Sequence, residues 1–490
     1  MRIRIVVFLA LLSLPLYAQQ KSKSATKKSA TAEQATEKPG VDRHYYIAAE
    51  DVDWDFAPSN RDLIHNSPLR RLYENRTKWK KTRYIEYTDD SFTTPKPQPA
   101  WLGLLGPVIR AEVGDTIYVH FLNKSRIPHS IHAHGVRYNK DSEGAHYAFR
   151  GAGAKVTLGQ KFVYTWQVTP ASGPAPGEAS SRVWLYHGHV DEPEETNAGL
   201  IGPIIITAKG KAKLDATPVD VDREFVVLFM MFDQSPAPPP GTRRSQMQFV
   251  LPEYEFSTMN GYIFGNLQGL VMREGERVRW HVMAMGSEGD LHTPHWHGHT
   301  VTVAGHTKDV TQLLPATTET LDMVADNVGS WMFQCHVADH MDEGMMTYYT
   351  VLPKERACPV EFAKPEFGND GAFAFDVVNR DTAIRRMTNK VEIVPKPYQT
   401  ATLFAEEGDV ATLAAGATTR RQIPGGFVGG DQALGYVVRP EKIVFGNGQV
   451  WEARYRGECA QGFFKDPKNA FDVTVLPPDR MGEHDEFEDH

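Results

Sequence analysis

From His44 to about Thr207, short runs rich in β-branched and aromatic residues (HYYIAA, DTIYVHFLN, KFVYTWQV, GPIIIT) are separated by Gly, Pro, Asn and Asp. Such runs suit a pleated, half-buried surface and the breaks suit turns, so the segment predicts the strands of an all-β sandwich. A polar connector, AKGKAKLDATPVDVD, follows. A second succession then runs from Glu224 to about Pro353: EFVVLFMMF, ERVRWHVMAM, TVTVAG, ETLDMVA and MMTYYTVL. Past Lys354 this pattern stops, although KVEIVP, LGYVV and KIVFGNGQVWEARY remain β-like. The glycine-rich IPGGFVGGDQ reads as turns, because it lacks the lysine-bearing pattern of a phosphate cradle and opens no evident helix.

Two anchors recur in the same order in both successions. HAHG, from His132 to Gly135, matches HWHG, from His295 to Gly298, and WLYHGHV, from Trp184 to Val190, matches WMFQCHV, from Trp331 to Val337. The second unit therefore repeats the first, although the spacing does not say which strands pair. The expected organisation is a signal peptide over 1–18, a disordered leader over 19–40, one sandwich over 41–208, a second over 222–355, and a smaller β-rich C-terminal extension over 356–490.

The signal peptide is read from MRIRIVVFLALLSLPLYAQQ, in which two arginines precede an apolar run too short to span a bilayer and a small-residue cleavage point follows. Export to a periplasmic or extracellular compartment is the consequence. No other stretch of the 490 residues approaches membrane length, so no membrane span is expected, and a formal net charge of -8 gives no footprint for nucleic acid. Of the three cysteines, Cys358 and Cys459 are candidates for a disulfide closing a loop of about a hundred residues in an oxidising compartment. Two separate buried thiols are the alternative. The acidic tail GEHDEFEDH reads as a solvated end, with His484 and His490 as weak metal candidates on composition alone.

Eleven of the 19 histidines fall in four windows: His129, His132 and His134; His187 and His189; His292, His295, His297 and His299; His336 and His340. An H-x-H pair on a strand points both rings to one side, which is how a strand offers two ligands to a common centre. Cys335, His340 five residues on and Met345 ten residues on, with His292 from elsewhere in the unit, make a two-histidine, one-cysteine set with a weak thioether. That is the ligand set of a blue copper site; zinc would want four strong ligands and no thioether.

HSIHAHGV, WLYHGHVDEPEETNAGLIGPIII, DLHTPHWHGHT and CHVADHMDEGM resemble the four copper signatures of multicopper oxidases. The flanks HYYIAAEDVDWDFAPS, WLGLLGPVIRAEVGDTI and NGYIFGNLQGL are similar to ceruloplasmin-like cupredoxin domains, over about residues 42 to 353. The resemblance implies two tandem cupredoxin-like Greek-key β-sandwiches, with copper as cofactor. It assigns His292, Cys335, His340 and Met345 to a type 1 copper, and His132 and His295 to a type 2 copper. His134, His187 and His336 go to one type 3 copper, and His189 and His297 to the other, whose third histidine is replaced here by Gln334. Gly188 stands where the second unit has Cys335, so only the second unit would hold a type 1 site. In two-domain members of the family the cluster lies between neighbouring chains, which implies a cyclic homotrimer.

The function this implies is an exported oxidase. It would couple one-electron oxidation of a small donor, a metal ion (Fe(II), Cu(I) or Mn(II)) or a phenol, to reduction of dioxygen to water. Cys335 and His336 would carry the electron path, with Asp339 as an acid at the donor entry. The family's donor-site histidine corresponds to Ser257, with Glu253 and Glu255 close to a glutamate position without matching it by count. A solvated loop is the plain alternative for Asp339, Asp342 and Glu343. Gln334 admits three readings: a tolerated weak ligand, loss of one type 3 copper, or a protein that only binds copper or passes electrons. The presence of every other ligand favours the first. A copper nitrite reductase-like enzyme is a further alternative, disfavoured because that family places its type 1 cysteine in the first domain.

Overall fold

In the strand Thr116–Asn123, Ile117, Val119, Phe121 and Asn123 are buried and the residues between them are not, so the alternation of TIYVHFLN becomes one inward and one outward face. The computed structural model describes residues 40–235 and 254–466, apart from positions 288, 370, 395–402, 409–411, 424–432 and 456. The expected signal peptide, nearly all of the leader, Glu253, and the tail with His484 and His490 lie outside the described residues.

Two four-stranded sheets form the first sandwich. One has the order Lys78–Tyr87, Asp42–Asp55, Thr116–Asn123, Lys161–Gln167, and the other the order Ile109–Glu112, Ile201–Thr207, Ser181–His187, His132–Ala133. The second sandwich repeats the plan. Asp42–Asp55 runs parallel to Thr116–Asn123 and antiparallel to Lys78–Tyr87. In the same way Arg223–Asp233 runs parallel to Arg277–Ala284 and antiparallel to Glu255–Met259. Its opposite sheet has the order Val271–Arg273, Met346–Leu352, Gly329–Cys335, Pro294–Trp296. Both sandwiches are cupredoxin β-sandwiches, in which the histidine-bearing strand ends lie side by side on one sheet.

Each sandwich has its own core. Ile117, Val119, Phe121, Tyr164, Trp166 and Ile204 fill the first; Phe229, Trp280, Val282, Trp296, Phe333 and Val351 fill the second. Burying each of these large side chains stabilises the fold by about 1.5–3 kcal/mol. A third cluster is shared between the sandwiches: Leu102, Val183, Leu185 and Ile205 pack with Val226, Leu228, Phe256 and Met283. A buried polar bridge adds to it, with Arg110 of the first sandwich 2.6 Å from Glu224 of the second and His281 Nε2 2.9 Å from the same carboxylate.

The chain after residue 356 forms separate sheets around Phe362, Phe373, Phe375, Tyr436 and Val438. Cys358 and Cys459 are disulfide-bonded, 5.6 Å apart at Cα, so the second of the two cysteine alternatives is set aside. Arg273 of the second sandwich donates to Tyr455 Oη at 2.9 Å, joining the extension to it beside the disulfide.

Candidate metal centre

The duplicated strand pairs set the histidines. In the first sandwich His132 is cross-strand partner of His187; in the second His295 is cross-strand partner of Gln334. Gln334 therefore occupies the seat of His187. The glycines of HAHG and HWHG serve the approach of these strands: Gly135 and Gly298 have φ of 72° and 73°, and a Cβ on either would run into the ring of Trp184 or Trp331.

The first half-site gathers His132, His134, His187 and His189, with ring centroids 5.0–5.5 Å apart among His132, His134, His187 and His189. His132 Nδ1 is held by the carbonyl of Glu143 at 2.6 Å and His187 Nδ1 by that of Gly188 at 2.9 Å. Each bond puts the proton on Nδ1 and leaves Nε2 as the ligand atom. His187 Nε2 lies 3.1 Å from His134 Nε2. Burial, reinforced by neighbouring imidazoles, brings His134 down to about 4 and His187 down to about 3. Both are neutral at pH 7, the form that binds a metal.

The second half-site is looser. The ring of His295 lies tilted against those of His297, at 4.5 Å, and His336, at 5.3 Å, and His295 and His297 line a concavity of about 450 Å³ open to solvent. His295 Nδ1, His297 Nε2 and Gln334 Oε1 are buried with no hydrogen-bond partner within the chain. Unpaired buried polar atoms cost stability unless something else binds them, and here they are three potential ligand atoms at one site. Among the described residues, the groups whose ligand atoms lie within metal-binding reach of one another are His132, His134 and His187, and separately His292, Cys335 and His340. Neither draws on both half-sites.

His292, Cys335 and His340 are all buried. His292 Nδ1 and His340 Nδ1 are 3.2 Å apart, and Cys335 Sγ is 3.8 and 3.7 Å from them. Asp290 faces the far nitrogen of His292 at 3.3 Å. Met345 is fully buried, and its backbone closes the loop: Cys335 N–H donates to Met345 O at 3.0 Å and Met345 N–H to His340 O at 2.9 Å. Burial alone would raise the Cys335 thiol, but hydrogen bonds from His292, His340 and the amides of Thr293 and Val337 bring it down to about 6. A thiolate beside two imidazoles is a soft donor set, and with the unpaired atoms of the second half-site these residues fit copper.

The corresponding place in the first sandwich is closed. His129 stands three residues before His132 as His292 stands before His295, but it pairs through Nδ1 with Glu195 at 2.5 Å, both buried. The other oxygen of Glu195 accepts from the amides of Val190 and Asp191. A Cβ on Gly188 would lie 2.7 Å from Glu195 Cδ, so a cysteine has no room there.

At the expected donor entry, Asp339 is exposed in the first turn of the short helix Ala338–Asp342. The acids that crowd His340 come from elsewhere. Ser257 donates to Glu343 at 2.6 Å. Glu255 is pushed up to about 7, chiefly by burial and then by the charges of Glu343, Asp233 and Asp290. Sequence reading pointed to Glu255 only loosely and missed Asp233, Asp290 and Glu195: Asp233 and Glu255 act across long stretches of chain, whereas Asp290 stands two residues from His292 and Glu195 four from Asp191, within reach of a closer reading of the motifs.

Models of the multicopper oxidase family match residues 102–211 and 236–355. Ferroxidase HEPHL1 of Mus musculus is 36% identical over 340 residues, 64% of this chain and 29% of the relative. Ceruloplasmin of Homo sapiens is 34% identical over 342 residues, 63% of this chain and 31% of the relative. The chain thus spans less than a third of the length of these relatives. A crystal structure of a multicopper oxidase, at 22% identity, has a TM-score of 0.45 over 63% of this chain and 89% of that one. With both cupredoxin sandwiches matched and the paired histidine and cysteine motifs set in register, the chain belongs to the multicopper oxidase family.

Proposed function

We propose that the protein is an exported oxidase that takes electrons one at a time from a small reduced donor and passes them to dioxygen, forming water. The observation that carries this reading is the sequence adjacency of Cys335 and His336. Cys335 lies in a buried thiolate–imidazole set and His336 beside the second histidine half-site, so a single peptide unit links them. When bound, copper supplies one-electron redox chemistry at the Cys335 end and dioxygen reduction at the histidine end. His292, Cys335, His340 and Met345 would hold the first ion. His132, His134, His187, His189, His295, His297 and His336 would hold the others, with Gln334 as a weak amide-oxygen partner.

The chain's own groups do the positioning. Asp290 and the carbonyls of Glu143 and Gly188 each occupy one nitrogen of a ligand imidazole and so turn the other toward the site. Glu255 and Glu343 crowd one another beside His340, and a cation arriving there relieves their repulsion. That favours a divalent metal donor, Fe(II) or Mn(II), over a phenol. A homotrimer completes the reading, because each half-site supplies what the other lacks and His295 and His297 face an open concavity. The Cys358–Cys459 bridge supports an oxidising, exported location.

Oxygen uptake tests the proposal. Purified copper-loaded protein should consume oxygen with Fe(II), and Glu255→Gln should raise KM for Fe(II) more than it lowers kcat. The unpaired Gln334 oxygen favours a second reading, a copper protein that passes electrons without turnover. No oxygen uptake with any donor, from protein with full copper content, would select it.

A further inference from the structure

Two histidines on the outer face of the first sandwich have no part in the copper reading. His44 lies on Asp42–Asp55 and His120 on its parallel neighbour Thr116–Asn123; the register sets His44 against Tyr118 and Tyr46 against His120, so the two imidazoles meet on a diagonal. Val119 and Phe121 point into the core, which leaves His44 exposed and His120 half-buried on the opposite face. Nδ1 of His44 is 2.9 Å from Nε2 of His120. Tyr118 stacks on His44 at 4.9 Å and 11°, and Tyr46 stacks on His120 at 4.7 Å and 25°. Phe92 in turn meets Tyr46 edge-on at 6.3 Å. Each imidazole is therefore flanked by its partner and by a phenol ring, and little side-chain freedom remains to be lost on binding a ligand.

We infer that His44 and His120 form a solvent-facing chelate for a borderline divalent metal ion, Cu(II) or Zn(II), separate from the copper centres. Two Cu–N bonds of about 2.0–2.1 Å meeting at the right angle of a tetragonal Cu(II) site span about 2.9 Å, the separation seen, and the wider tetrahedral angle of Zn(II), spanning about 3.3 Å, asks the rings to part by only a few tenths of an ångström. At the candidate copper positions, imidazole nitrogens approach one another at a similar distance, 3.1 and 3.2 Å. The carboxylate of Asp90 and the ammonium of Lys161 are the charges that reach His120, the first favouring a bound cation and the second opposing it. Neutral imidazole is the ligand form, and burial together with His44 already holds His120 below the usual histidine range. The remaining coordination positions open to water, which suits an ion that exchanges with solvent.

The competing explanation is a plain N–H···N hydrogen bond between the two rings, which has the same length and binds nothing. Zinc binding separates the two. Full-length protein that keeps its buried copper but has been stripped of surface copper with a mild chelator is equilibrated with Zn(II) alone, and bound zinc per chain is compared for wild type, His44→Gln, His120→Gln and the control His306→Gln, a variant of another exposed histidine. The expected result is one fewer zinc per chain in each of the first two variants, no loss in the control, and the same visible absorption in all four. Zinc held at other surface groups is common to every sample and cancels. Equal zinc content in wild type, His44→Gln and His120→Gln overturns the inference. Cys335→Ser should leave the zinc difference intact, so its outcome is independent of whether the protein is an oxidase.

Discussion

Gln334 is the one position where the two half-sites differ in kind, and substitution there has consequences of calculable size. Its side chain is 3% exposed and its amide oxygen has no partner within the chain. A buried acceptor left unpaired costs about 1–3 kcal/mol, so in the metal-free protein Gln334→Leu, which has nearly the same volume, should raise the unfolding free energy by about 1–2 kcal/mol. In the metal-loaded protein the same change should lower copper content, because the amide oxygen is then a ligand. Gln334→His should act the other way. The register equates position 334 with His187, which shows that this strand pair accepts an imidazole, and an imidazole nitrogen holds copper better than an amide oxygen. Copper occupancy and oxygen turnover should both rise, by a factor comparable to the about 10- to 100-fold that attends loss of an outer partner at metal sites. The visible spectrum should not change, since His292, Cys335 and His340 lie on the other side of the strand. Metal analysis, electron paramagnetic resonance and oxygen uptake on the three proteins read these effects. Full copper content in wild type, with no faster turnover in Gln334→His, would refute the reasoning, as would an unchanged metal-free stability in Gln334→Leu.

Cys335→Ser should abolish the blue absorption and donor oxidation while circular dichroism stays as in wild type; a blue variant would overturn the ligand assignment. Glu195→Ala strips His129 and the amides of Val190 and Asp191 of their carboxylate, so denaturant unfolding should show a loss of about 3–5 kcal/mol, with Glu195→Gln losing less. Burial by itself would raise Glu224, but His281 and Arg110 outweigh it and hold the carboxyl down to about 2. The folded carboxylate keeps its charge to lower pH than the unfolded one. Its stabilisation is therefore complete above the ordinary carboxylate range and lost as pH falls from there through about 2. Acid titration of wild type against Glu224→Gln should show that difference, on the order of 3–4 kcal/mol at neutral pH.

Strand-forming runs and the duplicated motifs were legible in the sequence because burial of one face and metal ligation both leave short-range patterns. TIYVHFLN forms a strand as it was expected to, and the paired anchors HAHG and HWHG occupy equivalent register positions. What stayed hidden was set by contacts across long sequence distances. The core shared by Leu185 and Phe256 is indistinguishable in sequence from two private cores, and Ser257, Glu255 and Glu343 meet only because the strand Glu255–Met259 and a helix end converge. Asp339, singled out as an acid beside His340, is exposed, because in a helical turn adjacent residues face different ways. Glu195 lay inside a quoted motif, yet its role depends on the missing side chain of Gly188, and that relation is visible only in three dimensions.

The closed pocket of the first sandwich bears on how the molecule matures. Where the second sandwich closes its loop from Cys335 to Met345 around His292, Cys335 and His340, the first has Glu195 tying the corresponding loop to His129 with the chain's own atoms. That loop of the first sandwich is thereby fixed without a metal ion. A newly made chain short of copper would hold the loop that carries His187 and His189 already in position, while the first sandwich's own histidines, the loop from Cys335 to Met345 and the unpaired atoms of His295, His297 and Gln334 would still feel the scarcity.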